Sequence, residues 1–314
     1  MTLRGAVYGI TASAIWGGMY VVSDVVLGTI PPFALLTLRL LLGGLALLPF
    51  VLPLLLSAST PRPTVREVVR LMSVGVLGFG ISLGAQFIGT DLSTAINGTL
   101  ITSASPAFIV LFGMLILGER LTAASAAAVS LATLGVIVIV NPEAISFSAD
   151  SALGDLALAF AALTWGLYSV LVRLVSRHFD TLLVTLVAFV GGLLLTVPAA
   201  FIELQMRPVG EITPLVVLGV LYLGLVSTAA AMWLWNRAFA LVSASTASLF
   251  FFAQPLVGAL LSAVLLGQQM TPALWVGAAL IVAGVLVALV SPAEGARQRF
   301  ARLLRYNADE TASS

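Results

Sequence analysis

Two aromatic pairs lie near the centres of long apolar runs in this sequence. Trp16 and Tyr20 are four residues apart, and Trp165 and Tyr168 are three apart, so each pair shares one face of a helix. The polar tips of buried Trp and Tyr side chains need hydrogen-bond partners. We therefore expect these four residues to line a partly hydrated cavity that binds a small organic molecule. The alternative is that they pack helix against helix with local hydrogen bonds.

Two polar residues stand directly before prolines in two further apolar runs, as Ser105–Pro106 and Gln254–Pro255. Proline removes a backbone donor and leaves a carbonyl free, so Pro106 and Pro255 are predicted hinges. An amide is costly in hydrocarbon unless it faces the protein interior. Ser105, Gln254 and Phe250, which lies one turn before Gln254, are therefore predicted to bind substrate, although Gln254 could instead bridge two helices.

The remaining polar candidates lie nearer the ends of their runs. Gln86 and Asn97 are predicted to form an outer vestibule or gate. Arg39 is predicted to form a structural ion pair with Asp24, because both are near the same end of neighbouring runs, although its side chain could instead extend outward to the membrane surface. Proton relays and sites for cationic drugs are usually built around acids at mid-membrane, and no Asp or Glu stands at the centre of any run. A site of Trp, Tyr, Phe, Gln and Ser suits a neutral or zwitterionic molecule with an apolar side chain.

The composition sets the class of protein that holds these residues. Of 314 residues, 60% are hydrophobic and 9% are charged, which is more apolar surface than a soluble core of this size buries. The chain is therefore predicted to be an integral membrane protein. It has no cysteine, which excludes disulfides, thiolate metal sites and a cysteine nucleophile. No metal or cofactor is expected, and the first apolar run is interpreted as a retained helix rather than a signal peptide.

A membrane-spanning helix needs about 20 apolar residues. The sequence predicts an all-α membrane protein with ten spans, followed by a polar tail over 292–314. The spans are predicted near residues 4–27, 33–56, 68–90, 94–118, 122–141, 153–175, 181–203, 212–237, 243–267 and 271–291.

The arginines predict the orientation, since short cytoplasmic loops carry an excess of basic residues. All 14 basic residues are arginines, and 12 of them fall on one side if the N-terminus is cytoplasmic. On this topology Arg207 is on the opposite side and Arg39 is within a span. Both termini are therefore predicted to be cytoplasmic. The uneven charge reports topology and gives no indication of a nucleic-acid partner.

The chain repeats itself. The stretch ASPAFIVLFGMLILGERLT at 104–122 recurs as AQPLVGALLSAVLLGQQMT at 253–271, and Trp16 and Trp165 share the same offset of 149 positions (165 minus 16). A constant offset predicts a duplicated five-helix unit, with repeats at 1–141 and 153–291 and an outward-facing linker at 142–152. Because five is odd, the two copies must lie inverted. Inverted repeats are typical of secondary transporters with a midplane site and alternating access.

The motifs resemble those of a known family. The IWGG of the first span, the LRLLLGG of the second and the LGERLT after the fourth resemble the EamA-type members of the drug/metabolite transporter superfamily. The resemblance covers residues 5–141 and 153–290, and among the family members the aromatic amino-acid exporters of the YddG type look most similar. The resemblance implies ten helices in two inverted halves and export of amino acids or other metabolites. One departure from the family pattern is that the second copy has LGQQMT where the first copy has LGERLT.

We therefore expect a bacterial inner-membrane transporter that exports amino acids, aromatic or large hydrophobic ones, or similar small neutral metabolites. An exporter of lipids or cationic drugs is the second interpretation, which the lack of a central acid disfavours. A membrane-embedded enzyme has little support, because there is no HExxH pair, no paired intramembrane aspartates and no histidine within a span. A receptor or structural role is the last alternative. The expected partners are a small-molecule substrate and the lipid bilayer, and a monomer is a plausible state.

The predicted topology can be tested in a chain that has no native thiol. Ser59→Cys lies in a loop predicted to be cytoplasmic, and Ser148→Cys lies in the linker predicted to be outside. In intact cells, an impermeant maleimide should label Ser148→Cys alone, and both should react after permeabilisation. Equal labelling of the two positions in intact cells would contradict the orientation.

Overall fold

The computed structural model describes residues 3–57, 63–93, 98, 101–140, 152–176, 178–258 and 272–290. Every regular element in these ranges is a helix, which confirms the predicted all-α class. The helices are α1 (Leu3–Leu27), α2 (Pro32–Leu56), α3 (Val65–Leu92), α4 (Ser105–Leu117), α5 (Ala123–Val140), α6 (Ala152–Val175), α7 (Thr181–Met206), α8 (Pro214–Leu241), α9 (Ala244–Phe250) and α10 (Pro272–Val290).

Six of these helices are long and apolar enough to cross a membrane. They are α1, α2, α3, α6, α7 and α8, with lengths of 24 to 28 residues. At 1.5 Å per residue, each is longer than the hydrocarbon core of about 30 Å. The helices α4, α5, α9 and α10 are shorter or border ranges outside the description. Six spans are therefore found, and the count of ten stays a prediction.

The internal repeat is visible in the helix boundaries. The offset of 149 positions that relates the two sequence copies also relates the first residues of two pairs of helices that begin inside the described ranges. The pairs are α2 and α7 (32 and 181) and α3 and α8 (65 and 214). Equivalent sequence positions therefore begin equivalent helices.

Two of the repeat-related helices contain π-helical turns. They span Val76–Ser82 in α3 and Tyr222–Ala230 in α8, and these stretches overlap when the offset is applied. A π-turn widens the helix and redirects side chains and carbonyls. In α8 the Ser227 carbonyl accepts a hydrogen bond from Trp16 Nε1 at 3.0 Å. The π-turn of α8 thus presents a backbone acceptor to α1, across the two repeats.

Local signals fix where several helices begin and end. The hydroxyls of Thr64 and Thr213, also 149 positions apart, accept from Glu67 N and Val216 N and cap α3 and α8. Gly118 ends α4 with a φ of 66°, a left-handed conformation that favours glycine. This turn reverses the chain directly before Glu119, whose contacts are described below.

Glycine lets α3 and α7 approach to backbone contact. A methyl group on Gly191 would meet the main chain of Met72, and one on Gly75 would meet the main chain of Ala188. In a membrane, such close packing replaces much of the hydrophobic drive for association that exists in water. The contact joins the first repeat to the second.

The substitution Gly191→Ala tests this contact. Its methyl group has no flexible side chain to displace, so we expect a loss of about 1–3 kcal/mol in stability and a lower thermal midpoint in detergent. Gly44→Ala is the matched control, because the nearest atom to its methyl is Leu186 Cδ1 at an ordinary 3.6 Å. Alanine favours the helix at both sites. Equal midpoints for the two variants would contradict the backbone contact.

Candidate functional site: the central cavity

The helices surround a cavity with about 390 Å³ of empty space, including the part open to solvent. Both repeats contribute to its wall, through α1, α3 and the start of α4 on one side and α6, α8 and the chain after α9 on the other. The lining residues are Trp16, Met19, Tyr20, Ser82, Leu83, Gln86, Thr102, Ser105, Ala161, Ala162, Trp165, Met232, Phe251 and Gln254. No charged residue is among them.

Five of the seven predicted substrate-binding residues lie together in this wall: Trp16, Tyr20, Ser105, Trp165 and Gln254. Gln86, predicted for an outer vestibule, lies in the same wall.

Two predicted binding residues lie behind the wall. Tyr168 is fully buried with its ring 5.0 Å from that of Trp165. Phe250 packs on Gly9 of α1, and its neighbour Phe251 lines the cavity in its place. Asn97 lies outside the described residues.

The predicted ion pair has one described partner. The side chain of Asp24 lies outside the description, so its pairing with Arg39 stays a prediction. Arg39 itself is fully buried and hydrogen bonds to Thr228 Oγ1 at 3.0 Å.

Several aromatic rings contact one another at the cavity and directly behind its wall. Trp16 contacts Trp165, Trp235 and Phe251, with ring centroids 5.7, 5.2 and 6.3 Å away. Trp165 and Phe251 also contact Trp235, which is fully buried behind the cavity wall. Sequence inspection did not single out Trp235, because it stands near the end of its span, where an interfacial tryptophan is expected.

Tyr20 joins three segments of the first repeat. Its hydroxyl lies 2.8 Å from Thr102 Oγ1 and accepts from Gln86 Nε2 at 2.8 Å. The Thr102 hydroxyl donates to the Gly98 carbonyl at 2.6 Å, so Tyr20 must donate to Thr102. The hydroxyl of Tyr20 is therefore fully engaged by protein groups.

Two other polar atoms in the wall have no partner. Trp165 Nε1 and Gln254 Oε1 are buried and make no hydrogen bond within the structure as described. Leaving such a group unpaired costs about 1–3 kcal/mol. The repeat-related Trp16 Nε1, by contrast, donates to Ser227 O at 3.0 Å. One unsatisfied donor and one unsatisfied acceptor thus belong to side chains that line the same cavity.

Regular helix is interrupted before both predicted hinges. Short-range turns precede Pro106, with Ala104 N donating to Ile101 O at 3.1 Å. The chain before Pro255 has an equivalent turn, in which Gln254 N donates to Phe251 O, also at 3.1 Å. These breaks place Ser105 and Gln254 at the cavity, while the hinge role of the prolines stays a prediction.

Glu119 ties the two repeats together at one end of the bundle. Its carboxylate accepts from Arg173 of α6, from Ala244 N at 3.0 Å and from Ser245 N and Oγ at 3.2 Å each. Ala244 and Ser245 form the first turn of α9, where a negative charge is favoured by the helix dipole. We call Glu119, Arg173, Ala244 and Ser245 the Glu119 cluster. It holds α4, α6 and α9 together.

A second set of polar contacts lies at the opposite end. Asp91 at the end of α3 pairs with Arg207, which follows α7, at 2.5 and 3.0 Å. Glu203 of α7 accepts from the first backbone amides of α2, Phe33 N at 2.8 Å and Ala34 N at 3.1 Å. These contacts fix α7 against α2 and α3.

The fold and the cavity define a class: an integral membrane protein of duplicated helical units with an uncharged cavity between them. The EamA-like transporter family matches residues 3–141 and again residues 152–290. The chain therefore belongs to the EamA-like transporter family, which confirms the resemblance drawn from its motifs. The two matched ranges are displaced by the same 149 positions as the helices.

Known relatives extend along most of the chain. A probable amino-acid metabolite efflux pump of Escherichia coli is 24% identical over 306 residues, covering 91% of this chain and 95% of the relative. A probable biotin transporter of Pseudomonas aeruginosa is 32% identical over 263 residues, covering 81% of this chain and 86% of the relative. A crystal structure with 24% identity superposes with a TM-score of 0.77, covering 92% and 97% of the two chains, and supports the fold.

The Glu119 cluster leads to a stability prediction. Glu119→Ala removes every acceptor and leaves Arg173 without this carboxylate, so the thermal midpoint should fall by the equivalent of about 2–3 kcal/mol. Glu119→Gln keeps an acceptor for the α9 amides and should lose less. The control is Glu211→Ala, at an exposed site. An unchanged midpoint for Glu119→Ala would contradict the cluster's role in joining the repeats.

Proposed function

We propose that the protein is a secondary transporter that exports amino acids with aromatic or large hydrophobic side chains, or similar small neutral metabolites, through the central cavity. The observation that carries the proposal is the pair of unpaired polar atoms in the cavity wall, Trp165 Nε1 and Gln254 Oε1. A transported molecule satisfies both when it brings an acceptor for the indole N–H and a donor for the amide oxygen. Binding of the molecule then removes the free-energy cost of leaving these two atoms without hydrogen bonds.

The rest of the wall suits an apolar side chain. Trp16 and Phe251 offer ring faces and edges, and Met19 and Met232 offer flexible apolar surface that adapts to differently shaped ligands. A cationic drug would find no acid among the lining residues, which argues against the rival interpretation. The name of the Escherichia coli relative, an amino-acid metabolite efflux pump, supports the same class of substrate.

Alternating access follows from the repeat. Two inverted five-helix units exchange conformations around a fixed midplane site, so that the cavity opens to each side in turn. We place the Glu119 cluster at the cytoplasmic end, together with both termini, on the basis of the arginine distribution. The cluster holds α4, α6 and α9 together at that end. When its contacts break, these helices separate and substrate enters from the cytoplasm. The contacts of Asp91 and Arg207 then belong to the outer end.

Solute counterflow tests the proposal. Purified protein in liposomes preloaded with an unlabelled aromatic amino acid should accumulate the labelled compound transiently from outside. A panel should include large hydrophobic, small and acidic amino acids and a lipophilic cation. Counterflow confined to aromatic or large hydrophobic members is the expected result. Counterflow of the cation alone would favour the drug-exporter interpretation, and no counterflow of any solute would contradict transport of this class.

Trp165→Phe tests the unpaired donor, because it keeps an aromatic ring and removes only the indole N–H and part of the ring area. We expect a rise of about tenfold in the half-saturating substrate concentration, the size of one lost hydrogen bond. The matched control is Trp275→Phe, since Trp275 is exposed on α10. If Trp165→Phe left the half-saturating concentration unchanged, the indole N–H of Trp165 would not bind substrate.

A further inference from the structure

A buried cation lies one side-chain layer from the central cavity. Arg39 of α2 is fully buried, and none of the described carboxylates lies within 4.0 Å of it. Its guanidinium bonds to Thr228 Oγ1 through Nε, and to Ser227 Oγ (3.3 Å) and Met19 Sδ (3.5 Å) through Nη2. Nη1 has no hydrogen-bond partner among the described residues. These contacts orient the side chain and leave its charge uncompensated by the described residues.

A positive charge buried at this position without a carboxylate partner is energetically unfavourable. Ionisable groups inside membrane-spanning segments usually pair with one another or mark the path of a substrate. Neutral hydroxyl and thioether partners stabilise a guanidinium less than a carboxylate does. The arrangement that holds Arg39 is therefore suited to an anionic group that arrives from elsewhere.

A second, smaller cavity is lined in part by Met19 and Phe87, two residues that contact this cation. It has about 170 Å³ of empty space and is lined by Met19, Tyr20, Ser23, Gln86, Phe87 and Thr90. Three of these residues, Met19, Tyr20 and Gln86, also line the central cavity, so the two cavities adjoin.

The wall between the second cavity and the cation is thin. Met19 accepts a hydrogen bond from the guanidinium, and the Phe87 ring centroid is 5.1 Å from Arg39 Cζ. The thioether of Met19 has three rotatable bonds and moves aside at low cost. Ser23 Oγ, in the same cavity, is a buried hydroxyl for which the described residues provide no partner. The second cavity therefore holds a free O–H donor and lies within one mobile side chain of a cation.

We propose that the second cavity is a subsite for the carboxylate of the transported molecule, with Arg39 supplying the positive charge and Ser23 a hydrogen bond. This inference rests on the proposed function and narrows its substrates to carboxylate-bearing molecules. The apolar side chain of the substrate occupies the central cavity among Trp16, Trp165 and Phe251. The carboxylate enters the second cavity past Tyr20 and Gln86, and Arg39 Nη1 gains the acceptor that it lacks.

The test compares a transported amino acid with its primary amide as competitors in counterflow. The ratio of their half-inhibitory concentrations measures how strongly the transporter prefers a carboxylate. The wild-type protein should prefer the acid by about tenfold or more, as expected for one charge-assisted interaction. Arg39→Gln, which retains donors toward Ser227 and Thr228, should bring this ratio close to one.

Ser23→Ala provides a second variant that a folding defect does not obscure, and it should lower the ratio about threefold or more. Its matched control is Ser13→Ala on the same helix. Ser13 is also buried, with a hydroxyl that finds no partner among the described residues, but it lines neither cavity. The ratio for Ser13→Ala should therefore equal that of the wild type.

The outcomes separate the two proposals. If the wild-type protein shows no counterflow of amino acids, the proposed function fails. If it transports them but Ser23→Ala and a folded Arg39→Gln keep the wild-type ratio, transport stands and the carboxylate subsite is wrong. The latter result is the one that a purely structural pair of Arg39 with Asp24 predicts. Should Arg39→Gln not fold, the ratio measured for Ser23→Ala decides the matter by itself.

Discussion

The constraint on which the structure depends is that a polar group inside a bilayer finds no water and must be paired within the protein. Most of the interior obeys it. Trp16 donates to a carbonyl in the π-turn of α8, and Tyr168 donates to Asn236, whose amide donates in turn to Thr185. Of the eight buried side-chain atoms without a partner in the described residues, four lie in or directly behind the walls of the two adjoining cavities: Ser23 Oγ, Arg39 Nη1, Trp165 Nε1 and Gln254 Oε1. Unpaired atoms gathered in this way support the proposal that the two cavities bind a substrate.

Duplication gives this chain two related sets of helices, and divergence between the copies places different groups in the cavity wall. Trp16 and Trp165 are equivalent, yet within the described residues only Trp16 has a hydrogen-bond partner for its indole N–H. Ser105 and Gln254 are equivalent, yet one is a hydroxyl and the other an amide. A perfectly symmetric cavity would present the same groups to both ends of a ligand. The differences allow a donor and an acceptor to stand at distinct places around one asymmetric molecule.

Sequence periodicity was sufficient to predict the helical class and the register of the repeat, because hydrophobic spans and a constant offset are direct properties of the chain. It also predicted a shared cavity for Trp16, Tyr20, Ser105, Trp165 and Gln254, since polar groups at the middle of a span are costly in lipid and face the protein interior. The same periodicity predicted Phe250 as a lining residue, whereas Phe251 lines the cavity. The helix is interrupted before Pro255, so regular helical spacing does not apply there. The π-turns and the central position of Trp235 leave no comparable pattern in the sequence, because both depend on packing between distant helices.

The central claim is that the substrate occupies the cavity between the repeats, and protection of a single cysteine tests it most directly. Ala162 lines the cavity, and the native chain has no thiol, so Ala162→Cys provides one reporter. Its rate of reaction with a small methanethiosulfonate in proteoliposomes should fall as a transported amino acid is added, with half-protection at the half-saturating concentration for transport. The exposed Glu211→Cys should react at a constant rate. An unchanged rate at Ala162→Cys under saturating transported substrate would contradict the account.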